Sequence, residues 1–161
     1  MSPDPTLLTG LGAALALFLS GCGSAYATTH ASLFAARHPY SMACNMAMVP
    51  VVIAGVLALY GVIIGYLLTS KINSNGEISL VDGYKFLSAG LSVGLACLAS
   101  GMGMGLYLKK LNDEEYFFVR KGKAGPDNVS KKGSFLTLFL CLVFFEAIGL
   151  YGLIVALFLV G

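Results

Sequence analysis

Charge is what this sequence has least of. Ten Lys and Arg with eight Asp and Glu make up 11% of the 161 residues, against about a quarter in an ordinary soluble domain. Catalytic signatures are missing as well. There is no P-loop, no H-E-x-x-H and no G-x-S-x-G, and the glycines of "GMGMG" (Gly101 to Gly105) continue an apolar run instead of following a strand, which excludes a nucleotide cradle and ATP hydrolysis by this chain. The four cysteines, Cys22, Cys44, Cys97 and Cys141, form no C-x-x-C pair, and three lie in apolar runs; they read as small buried hydrophobes, not as a disulfide framework or metal site. His30 and His38 have no acid nearby and are expected at the surface. No cofactor, metal or nucleic-acid partner is expected. A basic stretch ahead of the first apolar run is absent too, since Asp4 is the one charge there. The "LSGC" at Leu19 to Cys22 and the Ala25-Tyr26-Ala27 triplet are therefore not expected to mark a cleaved signal.

What is present is grease: 57% of the residues are hydrophobic. They gather in four runs, roughly residues 7–28, 49–69, 86–108 and 135–160, each near the ~20 residues a helix needs to cross a bilayer. The expected fold is an all-α membrane protein of four transmembrane helices. The first loop carries Arg37 and both histidines, and the third, residues 109–134, carries Lys109, Lys110, Arg120, Lys121, Lys123, Lys131 and Lys132. The middle loop balances Lys71 and Lys85 against Glu77 and Asp82, and the ends have no Lys or Arg. By the positive-inside rule, loops one and three are expected in the cytosol and both termini outside or in a lumen. The Asn128-Val-Ser130 sequon is then a chance match.

The chain repeats itself. At an offset of 80, "GLGAALALFLSGCGSAY" from Gly10 meets "GLSVGLACLASGMGMGL" from Gly90 with seven of 17 positions identical. Spans two and four correspond at an offset of 91, where Tyr60-Gly61 falls on Tyr151-Gly152. Two tandem helical hairpins, residues 1–80 and 81–161, are expected. Gly10, Ala14, Gly21 and Ala25 on span one answer Gly90, Gly94, Gly101 and Gly105 on span three, and each set falls on one helix face. Small residues let membrane helices approach closely. One such stripe is a generic helix contact; two in register suggest a crowded surface such as the inner wall of a ring.

Of all the Asp, Glu, Lys and Arg residues, one stands inside the four runs: Glu146, in "LVFFEAIGLYG". A charged carboxylate at mid-bilayer costs from about 2.5 to more than 10 kcal/mol, and none of the runs offers it a cation or a polar His, Asn, Gln or Asp partner. The neutral acid is the form lipid tolerates, and release of the proton requires water or a fixed cation. Those are the requirements for a proton carrier. A sodium site would need several converging oxygens; the neighbouring residues offer only tyrosine hydroxyl and backbone, with Ser88, Ser92 and Ser100 of span three as further candidates, so protons are the favoured ion. The repeat puts Gly55 opposite Glu146, so one copy has the acid and the other lacks it.

"MVPVVIAGVLALYGVII" (Met48 to Ile64), "LSAGLSVGLACLASGMGMG" (Leu87 to Gly105) and "FFEAIGLYGLIVAL" (Phe144 to Leu157) closely resemble the proteolipid, or c subunit, of the vacuolar-type proton ATPase. The resemblance implies protomers side by side in a ring with odd spans inside and even spans outside. It places the proton-binding glutamate at Glu146 and matches a hydrogen-bonding tyrosine to Tyr60, where a packing role is the competing reading. It further implies a rotor of the membrane sector, a stator subunit supplying an arginine, central-stalk subunits at the cytosolic loops, surrounding lipid and an acidic endomembrane such as the vacuole. ATP would be hydrolysed elsewhere in the complex. The charged third loop, "KKLNDEEYFFVRKGKAGPDNVSKKGSF" from Lys109, and "THASLFAARHPYSMA" in the first depart from the family pattern. A membrane-sealing or junctional proteolipid without transport is the alternative.

Overall fold

The computed structural model describes residues 4–37, 48–73, 78–113 and 128–161. It holds four helices: α1 (Pro5–Arg37), α2 (Val49–Asn73), α3 (Leu80–Asp113) and α4 (Asn128–Val160). All four are long and apolar enough to cross a membrane. Long uncharged runs leave few alternatives, because in lipid every backbone N–H and C=O must find its partner within the protein. The starts are signalled locally. Asp4 accepts from the N–H groups of Leu7 and Leu8 ahead of Pro5, and proline suits a first turn because the N–H it lacks would have no partner there. Pro50 sits one residue further in, second in α2, where Met48 accepts from Val51 and Val52.

The helices outrun the apolar stretches that predict them. α1 continues past Thr28 to Arg37, α3 begins before Phe86 and runs on to Asp113, and α4 begins at Asn128 instead of near Phe135. Residues 109–113 and 128–134 of the expected charged loop are therefore helical, while 114–127, His38 and Cys44 lie outside the described residues. Leaving lipid does not dissolve a helix whose next residues, such as Lys109, Lys110 and Leu111, are good helix formers. At 1.5 Å per residue the 33 residues of α1 span about 50 Å, more than the ~30 Å hydrocarbon core.

Packing is centred on α1 and α3, which share the most extensive interface, with α2 laid on α1 and α4 on α3. Among the described residues α4 touches α2 and α3 but not α1. Two apolar clusters fill the interior. One gathers Ile64, Leu68, Val93 and Ala156, the other Ala54, Met104, Leu108 and Leu142. The outer surface is equally apolar, with Tyr66, Phe144, Tyr151 and Phe158 exposed, as a lipid-facing surface should be.

The α1–α3 interface is backbone against backbone. A Cβ placed on Gly90 would fall on the Gly12 carbonyl, and one on Gly101 on the Gly23 carbonyl. Gly94 lies against Leu15 and Leu19, and Gly105 against the ring of Tyr26. The partners on α1 are thus Gly12 and Gly23. Gly10 and Gly21 have nothing within 4 Å of an added Cβ, and Ala14 and Ala25 are exposed. Two repeats packed head to tail meet through different faces, so the stripe of α3 and its counterpart on α1 do not face each other within one chain. Gly101→Ala is expected to lower stability by about 1–3 kcal/mol through overpacking, whereas Gly21→Ala should leave the isolated protomer unchanged. Thermal unfolding of the detergent-solubilised protomer compares the two.

Candidate functional site

Glu146 lies near the middle of the apolar part of α4, residues 136–160, and is half-buried. The same face of α4 is shaped by glycines. Gly149 lets the helix settle on Leu57 of α2, with Cys97 of α3 nearby, and Gly152 settles on Ala96 and the Ser92 carbonyl. This close approach of α4 to its neighbours brings Glu146 to Tyr60. The Tyr60 hydroxyl donates to Glu146 Oε1 at 3.2 Å across helices that are 86 residues apart in sequence. One residue earlier, the buried Ser100 hydroxyl of α3 donates to the Phe145 carbonyl.

The carboxyl opens towards an apolar groove between α2 and α4. Its walls are Met48, Val49, Val52, Ile53, Phe139 and Val143, and its volume is about 340 Å³. A neutral acid held by a phenol suits such walls, since a phenol donates a hydrogen bond without adding charge. No cluster of three or more His, Cys, Asp or Glu exists among the described residues. Gly55, which the repeat matches to Glu146, is exposed on α2 with open space around an added Cβ.

Known proteins resemble the chain over most of its length. The chain is 34% identical over 155 residues to the V-type proton ATPase 16 kDa proteolipid subunit c of Nephrops norvegicus, covering 92% of this chain and 87% of that protein. The human 16 kDa proteolipid subunit c is 34% identical over 154 residues, covering 92% and 88%. Subunit c' of Saccharomyces cerevisiae is 35% identical over 150 residues, covering 92% and 84%. The chain belongs to the V-type proton ATPase proteolipid family. No protein-family model matches it. As a proteolipid it is an integral multi-pass membrane protein and a non-catalytic subunit.

The structure places the residues singled out in the sequence unevenly in this proteolipid. Glu146 and Tyr60 share one hydrogen bond. Gly90, Gly94, Gly101 and Gly105 line the α1–α3 contact away from the acid, and Gly10, Ala14, Gly21 and Ala25 form an open face of α1. His30 is not a free surface residue: it is half-buried, edge-on to Tyr26 with ring centroids 4.8 Å apart. Sequence reading overlooked Gly12 and Gly23, although they repeat the 11-residue spacing of Gly10 and Gly21 and of Gly90 and Gly101. It also left Ser24 without a role and gave Ser100 only that of a candidate oxygen near the acid. Ser24 donates to the Ala54 carbonyl at 2.8 Å, and no sequence pattern tells which carbonyl a serine will reach across a helix interface.

Tyr60→Phe should cost the protomer about 0.5–1.5 kcal/mol, the net value of one hydrogen bond. Glu146→Gln, whose amide oxygen still accepts from Tyr60, should cost less. Thermal unfolding in detergent at one fixed pH measures both.

Proposed function

We propose that this proteolipid is a rotor-ring subunit of the membrane sector of a V-type proton pump, with Glu146 as its proton carrier. Glu146 takes a proton from an aqueous half-channel in a neighbouring stator subunit. It then travels neutral past lipid as the ring turns, and discharges into a second half-channel. A stator arginine within about 4–6 Å would favour the anion at the point of release. The observation that carries this reading is a lone carboxyl in the middle of an uncharged span, half-buried at an outward groove and bonded to a phenol. Protons, and not sodium, fit apolar walls that offer little beyond that phenol. Loops one and three would face the cytosol, where α1, α3 and α4 outrun the membrane towards central-stalk subunits, and both termini a vacuolar or other acidic lumen.

Ring closure is supported by the open face of α1. The repeat maps Gly12 and Gly23 onto Ser92 and Gly103. In a ring of like or mixed proteolipids, Gly10, Ala14, Gly21 and Ala25 of one copy would meet that side of the next copy's α3 where Leu95 and Met102 stand exposed, beside Gly103, which Phe145 of its own α4 covers. Such head-to-tail contacts close into rings when the rotation permits.

Two measurements test the reading. Glu146→Gln should assemble normally and lose proton transport, and dicyclohexylcarbodiimide modification of Glu146, located by mass spectrometry, should fall as pH rises. Transport that survives the substitution would favour a sealing role instead. Gly21→Leu should leave the protomer folded but yield no ring by native mass spectrometry, while a ring that forms unchanged would reject the proposed interface.

A further inference from the structure

We propose that Ser100 is a positioning residue for Glu146: its hydroxyl, bonded to the Phe145 carbonyl, sets the rotation of α4 that brings the carboxyl to Tyr60. The inference rests on the proton-carrier reading. Ser100 is fully buried, and its acceptor is the residue immediately before the acid. A helical carbonyl keeps a second lone pair beyond the one its own helix uses, and Ser100 occupies it from outside. The Phe145 side chain bears on the same helix. Its ring covers Gly103 and lies 6.1 Å from that of Tyr107.

α4 needs such a tether more than the other helices do. It is the least buried of the four spans, it has no contact with α1 among the described residues, and Gly149 and Gly152 make its inner face smooth. With side chains reaching about 5–6 Å from the axis, a rotation of about 20° moves a carboxyl by roughly 2 Å. That is enough to break a bond of 3.2 Å.

The first hairpin repeats the tether. Ser24 holds the Ala54 carbonyl, one residue before Gly55, as Ser100 holds the carbonyl before Glu146. The acceptors match at the offset of 91, but the donors do not match at 80. Ser100 corresponds to Ser20, whose hydroxyl bonds Leu17 in its own helix, so α1 supplies its tether one turn later. Ser24 therefore fastens the helix that carries Tyr60, the other half of the same contact. The titratable groups near the acid on the helices packed against α4 are Tyr60 of α2 and Cys97 of α3, with Tyr107 beside Phe145.

Carbon-13 NMR of glutamate-labelled protein in lipid bilayers tests this, with the Glu146 carboxyl resonance assigned by its loss in Glu146→Gln. Its titration midpoint would be followed in the native chain, Ser100→Ala, Tyr60→Phe, the double variant and, as a control, Ser88→Ala, whose hydroxyl bonds the Tyr84 carbonyl of its own helix. Ser100→Ala should move the midpoint in the same direction as Tyr60→Phe, by about half a pH unit or more. The double variant should move it no further than Tyr60→Phe does, because both act through one contact. Ser88→Ala should not move it. A Ser100→Ala midpoint equal to that of the native chain, or a shift that adds to that of Tyr60→Phe, overturns the proposal. Ser100→Cys, similar in size and a weak donor, should fall between; if the alanine variant does not fold, an unmoved cysteine midpoint overturns the proposal alone. Failure of the carrier reading appears separately, as intact transport in Glu146→Gln.

Discussion

Two backbone contacts, Gly12 on Gly90 and Gly23 on Gly101, are what the other helices depend on. In lipid there is no hydrophobic gain in bringing one greasy helix to another, so association must come from close packing and interhelical hydrogen bonds. Glycines opposite one another allow α1 and α3 to approach until carbonyls occupy the space of missing side chains. Once α3 is set, α4 follows through Ala96 against Gly152 and through the Ser100 hydroxyl. Only then does Glu146 reach Tyr60. The contact that the proposed carrier uses is thus three steps removed from the contact that holds the fold.

The repeat gives the protomer two unequal halves with matched geometry. Each pairs an odd helix, rich in small residues, with an even helix that is apolar and largely exposed. Each fastens a serine to the carbonyl before the same repeat position, Ala54 in one case and Phe145 in the other. Against that background the difference at the next residue is informative. Gly55 stands open on α2 without loss of the fold, so packing does not require an acid at Glu146.

An outward-facing acid in an apolar groove also constrains how a carrier could operate. In the proposed rotor the neutral form needs only a phenol, which Tyr60 provides, and the cation that stabilises the anion is best held by a different subunit. A cation within this chain would form a permanent ion pair and fix the charge state. The four runs contain none.

Much of this was legible from the sequence. Four long apolar runs determine four helices, because lipid accepts few other backbone structures, and one acid among them marks where the proposed chemistry is concentrated. The register of the repeat and the glycine stripe of span three were legible too. Helix length was underestimated, because hydropathy marks where lipid ends and not where a helix ends. Periodicity likewise determined which residues share a face, but not which face meets which. Only the tertiary structure decided that Gly90 and Gly101 meet Gly12 and Gly23 while Gly10 and Gly21 stay open, that α4 is tethered through Phe145, and that Tyr60 donates to Glu146. Each depends on the relative rotation of two helices, which close packing sets and a one-dimensional pattern does not encode.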